Sequence, residues 1–182
     1  MFVIRCYFIV VYLCFSGLSF AELDRLDGTA VYMDPPDGFV VSDEFSGFYR
    51  TEINSSIVVT QFYSPVYDLL PLMKIESLNS SGRKFIERRS PVVSGFSAKF
   101  AKIKHRVDGV EFYKFLLLFG GVEKSVFISA SVPVSVGLVV EREVVKSMLS
   151  VSWEEDLRFD IFEGLGFKIA ESKDLKYSQR VN

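Results

Sequence analysis

The sequence contains a single histidine, His105, which lies in the basic segment 102–106 just before the dipeptide Asp108-Gly109. A histidine beside a serine could activate that hydroxyl as a nucleophile. However, no Gly-x-Ser-x-Gly segment, which would present such a serine at a strand-to-helix turn, is found in the sequence. A zinc site needs about four ligands, and the sequence offers only one imidazole and scattered carboxylates, so we do not predict a zinc site. We therefore interpret His105 as a solvated side chain near a turn.

Acidic residues cluster at three places, namely Asp34 with Asp37, Asp43 with Glu44, and residues 154–156. None of them shows the alternate oxygen ligands, central glycine and late glutamate of a calcium loop. Two carboxylates could also hydrolyse a glycosidic bond, because their separation is a matter of the fold and not of the sequence. Nothing in the sequence singles out such a pair. We predict that the protein is not an enzyme, with no catalytic residue, metal site or cofactor.

Basic residues are concentrated on two neighbouring predicted strands and could converge into one positive docking patch. Such a patch would attract an acidic partner or an anionic lipid surface. The simpler interpretation, which we favour, is a solvated sheet edge that lysine and arginine protect from aggregation. The candidate patch residues are Arg88, Arg89, Lys102, Lys104, His105 and Arg106.

The two basic clusters belong to a run of four predicted strands with no helix between them. Asp108-Gly109 and Gly120-Gly121 separate apolar runs, and such dipeptides favour tight hairpins because these turns need positive φ. The third run is apolar on both faces, which is typical of a central strand covered on both sides. The predicted antiparallel strands are 84–93, 96–107, 110–119 and 124–132.

Two helices and additional strands complete the predicted fold. Residues 69–77 have apolar side chains at helical spacing, with Pro71 placed in the first turn. Residues 137–150 form a second amphipathic helix, for which Ser135 is the predicted cap. Together with short strands at 39–41, 47–51 and 56–63, these elements predict an α+β fold, an α/β/α sandwich whose largely antiparallel sheet has about six strands.

The N-terminal residues 1–21 have the layout of a secretory signal peptide. Arg5 is their only charge, an apolar run follows, and small residues precede a cleavage site between Ala21 and Glu22. The apolar run is shorter than the roughly 20 residues that span a membrane. We therefore predict an exported protein, periplasmic or secreted after cleavage near Ala21.

Removal of the signal peptide also removes both cysteines, so the mature chain would contain no thiol and no disulfide. The alternative is a lipoprotein anchored at Cys14, which we disfavour because Leu13 stands where a small residue is expected.

The mature chain carries 20 basic and 23 acidic residues, a net charge of −3, unlike a typical nucleic-acid-binding domain. No second apolar segment is long enough to span a membrane. The most apolar segment, 112–119, is short and contains the charged residue Lys114, so we interpret it as a buried strand.

A series of short phrases resembles, in order and spacing, a family of secreted bacterial proteins with the PsbP/Mog-type fold. The resemblance covers about residues 30–153 and implies an antiparallel sheet with helices on both faces. The phrases are Pro36-x-Gly38-Phe39, Phe45-x-Gly47-Phe48, 55–59, Gly95-Phe96-Ser97-Ala98, Asp108-Gly109-x-x-Phe112-x-Lys114, Phe119-Gly120, Ala130-Ser131-Val132-Pro133 and Leu149-Ser150-Val151-Ser152-Trp153.

The same resemblance bears on domains and function. PsbP-like proteins are extrinsic subunits of a photosystem and the Mog-type protein binds a small GTPase. The function that these proteins share is non-enzymatic docking on a partner. Because relatives often continue into a second domain, residues 22–153 would form one domain, and the tail 154–182 could be the start of a truncated second one. We expect an exported accessory module that docks on an unknown envelope protein. The alternative is a small-ligand or lipid-binding protein with a pocket between sheet and helices.

Overall fold

A computed structural model describes residues 25–79 and 82–158. The predicted signal peptide with its cleavage site at Ala21 and Glu22, and most of the C-terminal tail, lie outside the described residues. In the described part of the chain, no helix is both long enough and apolar enough to cross a membrane.

Eleven strands and three α-helices make up the described residues. The strands are β1 (Val31–Tyr32), β2 (Val40–Val41), β3 (Gly47–Arg50), β4 (Ser55–Phe62), β5 (Arg83–Arg89), β6 (Val92–Val93), β7 (Phe96–Ser97), β8 (Lys99–Val107), β9 (Val110–Gly120), β10 (Ser125–Pro133) and β11 (Ser152–Trp153). The helices are α1 (Val66–Leu69), α2 (Ile75–Leu78) and α3 (Leu138–Leu149), and 3₁₀ turns lie at Thr51–Ile53, Leu70–Met73 and Val134–Val136.

Seven of these strands form one antiparallel sheet in the order β2-β3-β4-β10-β9-β8-β5. The predicted meander is confirmed in β8, β9 and β10, and β9 lies inside the sheet as its apolar character on both faces indicated. Asp108 and Gly109 both have positive φ, 49° and 84°, and so close a tight hairpin between β8 and β9. The first predicted strand of the meander ends earlier, at Arg89, and Val92–Val93 pairs separately with Phe96–Ser97.

The α+β class is confirmed, with a different cover on each face of the sheet. On one face, the α3 face, Val144 and Met148 of α3 pack with buried side chains such as Ile57, Phe115 and Phe119. The other face buries Ala101, Ile103, Leu116 and Leu118 under Met73 and Leu78. These last two residues belong to the segment 66–78, which we call the lid, and the sheet face beneath it is the lid face.

Two details of the helix predictions are wrong. The predicted single helix at 69–77 is instead a chain of single turns, because Pro71 has no N–H for helix continuation and Lys74 adopts an extended conformation. The predicted cap Ser135 lies within a 3₁₀ turn, and α3 begins after Gly137, whose φ of 96° suits a residue without a side chain. The lid is therefore a thin layer that leaves part of the lid face open.

Candidate functional site

The six residues of the predicted basic patch lie on both faces of the sheet. Successive side chains of a strand alternate between faces, so Lys102, Lys104 and Arg106 lie on the α3 face while His105 lies on the lid face. The partner strand β5 divides its cations in the same way. Arg88 pairs with Ala101 on the lid face, and Arg89 pairs with Phe100 on the α3 face.

Lys102 is bound internally, between the sheet and α3. Its Nζ lies 2.5 Å from Oε1 of Glu141, and both side chains are largely buried, with 13% and 17% of their surface exposed. The same ammonium group lies 3.9 Å from the centre of the Tyr113 ring, a cation–π contact. This lysine therefore holds α3 on the sheet and offers little charge to an outside partner.

Two further patch cations are paired near the surface. Nε of Arg89 lies 2.6 Å from Oε1 of Glu87, and its guanidinium covers the Phe100 ring at 4.6 Å. Nζ of Lys104 lies 2.8 Å from Oε2 of Glu111, whose pKa is lowered mainly by the hydrogen bond from that lysine. Internal carboxylates thus neutralise much of the positive charge on the α3 face.

A different group of basic side chains meets at a cavity between the lid and the sheet, which we call the lid pocket. The cavity has a volume of about 440 Å³. Its lining combines an apolar floor with three basic side chains and two hydroxyls. The lining residues are Leu72, Ser77, Leu78, Arg83, Ile103, His105, Lys114, Leu116, Phe127 and Ser129.

The three basic side chains of the lid pocket come from three adjacent strands of the sheet. Arg83 on β5 is the direct cross-strand partner of His105 on β8. Lys114 on β9 is the partner of Ile103, two residues before His105, and so lies diagonally across from the imidazole on the same face. Directly paired side chains of a sheet lie about 5 Å apart at Cβ and diagonal ones about 7–8 Å. One small anion could therefore contact all three groups.

The environment of His105 differs from the solvated position predicted for it. Its side chain is half-buried, and its Nδ1 is buried without a hydrogen-bond partner among the described residues. Burial lowers the pKa of the imidazole, and the charges of Lys114 and Arg83 lower it further. The imidazole is accordingly neutral near pH 7 unless an anion enters the pocket.

Lys114 is the pocket residue that reasoning from the sequence missed. The apolar segment 112–119 predicts a buried strand and assigns no role to its single charge. The sequence does contain a signal, because Lys114 lies on the same face of a central strand as the apolar residues Phe112 and Leu116. A charged residue at such a position needs a compensating partner or ligand.

The lid, together with Tyr63 just before it, carries several exposed apolar and aromatic side chains. We call this the apolar lid surface. Exposed charged residues are interspersed in the same segment, namely Asp68, Lys74 and Glu76. Its members are Tyr63, Tyr67, Leu70, Leu72 and Ile75, each 37–59% exposed, and Leu72 also lines the lid pocket.

The predicted acidic clusters lie at separate places. Asp43 and Glu44 line a polar cavity of about 460 Å³ near the sheet edge, and Asp34 and Asp37 line another beside α3. In the cluster 154–156, the backbone carbonyl of Glu155 accepts a hydrogen bond from Lys124 at 2.5 Å. Among residues 25–79 and 82–158, no three histidine, cysteine, aspartate or glutamate side chains gather closely enough to hold a metal.

Comparison with known proteins shows similarity of fold alone. No family model and no curated protein matches the sequence. LpqN, a protein involved in cell envelope biogenesis of Mycobacterium tuberculosis, superposes with a TM-score of 0.54 at 12% identity, over 67% of this chain and 82% of LpqN. The resemblance to the PsbP/Mog-type family stays a prediction.

Two further solved structures are less similar. A protein from Bacteroides thetaiotaomicron gives a TM-score of 0.45 at 13% identity, over 71% of this chain and 47% of that protein. Protein PA94 of Pseudomonas aeruginosa, of unknown function, gives 0.46 at 15% identity, over 71% and 83% of the two chains.

Proposed function

We propose that this protein is an exported, non-catalytic accessory module of the bacterial cell envelope that docks on a protein partner. The apolar lid surface carries the proposal. Its five large side chains lie within thirteen residues of sequence and are substantially exposed. Apolar side chains scattered singly on a surface are ordinary, whereas several large ones exposed within one short segment indicate an interaction site.

The composition of the apolar lid surface favours a protein over a membrane as the docking partner. Tyr63 and Tyr67 are residues that are enriched at the centres of protein interfaces. The surrounding charges are mixed, with Asp68 and Glu76 beside Lys74. An anionic bilayer surface would repel the two carboxylates, whereas a protein can present complementary charges at the rim of the interface.

Other observations support the proposed export and class of the protein. Residues 1–21 support export, and the fold shared with LpqN supports an envelope setting. The PsbP/Mog-type sandwich is the finer assignment that we propose, and docking without catalysis is the habit that it implies.

Photocrosslinking in cells tests the docking proposal. A photoreactive residue replaces Tyr67 in the full chain, and the matched control replaces Val139 on α3, which is similarly exposed at 69% compared with 59% for Tyr67. We expect a discrete protein adduct from position 67 and none from position 139. Equal labelling from both positions, or no adduct from position 67, would overturn the proposal.

A pair of variants gives an independent test of the same surface. Tyr67→Ser combined with Leu70→Ser removes two members of the apolar lid surface that do not line the lid pocket. The control is Leu138→Ser with Val139→Ser at the exposed start of α3. We expect the first pair alone to abolish co-purification of the crosslinked partner, while both pairs keep the folded circular dichroism spectrum.

A further inference from the structure

We infer that the polar cavity beside β3, which we call the β3 cavity, binds a neutral carbohydrate, with Tyr49 as the surface on which a sugar ring packs. The cavity has a volume of about 460 Å³, within the range typical of small-ligand sites. It shares no residue with the apolar lid surface. The inference therefore goes beyond partner docking and does not depend on it.

Two turns and the strand between them build the β3 cavity. Its walls come from the β2–β3 turn, from Tyr49 and Arg50 of β3, and from the β3–β4 turn with the start of β4. The first turn is fixed by Ser42, whose Oγ accepts the backbone N–H groups of Glu44 and Phe45. The strand β3 has four residues and extends over roughly 13 Å. A ligand that touches both turns must therefore be longer than one sugar ring.

The polar groups of the lining match hydroxyl groups in their capacity for hydrogen bonds. The carboxylates of Asp43 and Glu44 only accept, the Asn54 amide both donates and accepts, and the Arg50 guanidinium only donates. Because a hydroxyl group both donates and accepts, a polyhydroxylated ring can satisfy all of these side chains. A cation could use only the acceptors, and an anion would meet two carboxylates in the same cavity.

These groups are available to a ligand. Within residues 25–79 and 82–158, the side chains of Asp43, Glu44 and Asn54 make no hydrogen bond and no ion pair, and all three are exposed. Arg50 is held in place, because its Nη1 donates to the backbone carbonyl of Asp37 at 3.2 Å. That contact leaves its Nη2 for a ligand. The guanidinium is thus positioned before any sugar enters.

Tyr49 supplies the apolar surface that a sugar also needs. A sugar ring carries C–H groups on its faces, and these pack well against the negative face of an aromatic ring. The side chain of Tyr49 is 38% exposed, and its cross-strand neighbours are Val40 and Ser56, neither of which is large enough to cover the ring. A wholly apolar ligand would use this ring but would leave the carboxylates of the cavity without partners.

Nuclear magnetic resonance titration of the full chain tests the inference with defined probes. The neutral probes are cellotriose, maltotriose and triacetylchitotriose, and the charged controls are spermidine and citrate. We expect one or more of the trisaccharides to bind at millimolar concentration, more tightly than its own monosaccharide, and to shift the amide signals of residues 42–56. No binding of any trisaccharide, or spermidine or citrate binding there as tightly, would overturn the inference.

Asn54→Gly locates the site without disturbing the backbone, with Asp108→Gly as the matched control. Both residues have a φ of 49°, which glycine adopts readily, and Asp108 lies in the β8–β9 turn, outside the cavity. Loss of one neutral hydrogen bond weakens binding about threefold or more. We expect that loss for the bound trisaccharide in Asn54→Gly and unchanged affinity in Asp108→Gly. Equal affinities in the two variants would overturn the assignment of the cavity.

Tyr49→Ser tests the aromatic contact. Removal of a stacking ring weakens binding about tenfold or more, and an unchanged affinity would contradict the role of Tyr49. The unmodified protein keeps the test decisive if that variant fails to fold, because the ring protons of Tyr49 must shift when the trisaccharide saturates the protein. Crosslinking from Tyr67 requires no sugar, so failure of the β3 cavity and failure of partner docking give different results.

Discussion

Trp153 donates a hydrogen bond from its indole Nε1 to Oε1 of Gln61, at 3.3 Å, in the buried core. The same oxygen accepts the backbone N–H of Ala30 at 3.0 Å. Gln61 is only 6% exposed, so these bonds lie away from water. The side-chain amide of Gln61 on β4 thereby links the residue before β1 to Trp153 of β11, which follows α3 in the chain.

Substitution of this glutamine should destabilise the fold. Gln61→Met leaves the buried N–H groups of Ala30 and Trp153 without an acceptor, and each unsatisfied group costs about 1–3 kcal/mol. Because the substitution also removes the buried Nε2 of Gln61, which has no hydrogen-bond partner among the described residues, we expect the free energy of unfolding to fall by about 1–3 kcal/mol in urea titrations. Trp153→Phe is the comparison, since it removes one donor and leaves none unpaired at position 153. A change below about 1 kcal/mol in Gln61→Met would contradict the assigned role.

The pair of Lys102 and Glu141 should contribute more than the surface pairs of the sheet. Removing one member of a largely buried pair leaves the other charge uncompensated, so Lys102→Met should lower the free energy of unfolding by about 2 kcal/mol or more. Lys104→Met breaks the more exposed pair with Glu111 and should cost less than about 1 kcal/mol.

A double variant tests the explanation for that difference. Lys102→Met combined with Glu141→Leu removes both charges and should restore most of the stability lost in Lys102→Met, as measured by chemical denaturation. Additive losses in the double variant would show that the two side chains act independently. The pair would then have no role in holding α3 on the sheet.

Much of the sheet was predictable because its signals are local. Asp108-Gly109 specifies a hairpin through positive φ, and the apolar character of β9 on both faces specifies a strand inside the sheet. The strand alternation that separates His105 from Lys102 was also readable from the sequence. The partners of these residues were not, because Glu141 is 39 positions from Lys102 and the pairing depends on how α3 packs.

The lid pocket depended on facts that no local pattern contains. The bulge between Phe85 and Glu87 sets which β5 side chains share a face with β8, and so places Arg83 beside His105. Helical spacing at 69–77 predicted one regular helix, whereas Pro71 divides the segment into short turns. The lid is thin because of how these short turns pack on the sheet, which the sequence pattern does not specify. This packing leaves the lid pocket and the apolar lid surface exposed.

Gly47 is a backbone position where any side chain should disrupt the sheet. Its φ is 148°, and a Cβ added there would lie 2.0 Å from the carbonyl oxygen of Ile57 on the neighbouring strand. Gly47→Ala should therefore separate β3 from β4 and cost more than about 3 kcal/mol, measured by thermal unfolding. Gly109→Ala, at φ 84° with no atom within 4 Å, should cost only about 1 kcal/mol. Equal losses would contradict the close approach at Gly47.

His105 should make stability depend on pH in a particular direction. Because burial and the nearby Lys114 and Arg83 lower the pKa of its imidazole below the usual 6.5, the unfolded chain binds this proton more readily than the folded chain. Stability should therefore decline as the pH falls through about 6.5 and towards the lowered pKa. His105 is the only histidine of the sequence, so His105→Gln should flatten the decline in the free energy of unfolding between pH 7 and 5.5.

The charges that face the imidazole identify the control for this pH dependence. They are Arg83 on β5 and Lys114 on β9, whereas the lid lines the pocket with Leu72, Ser77 and Leu78, none of which titrates. Lys114→Gln removes one repulsive charge and should raise the pKa of His105, observed by NMR titration of its ring protons. An unchanged or lower pKa in that variant would show that Lys114 does not face the imidazole.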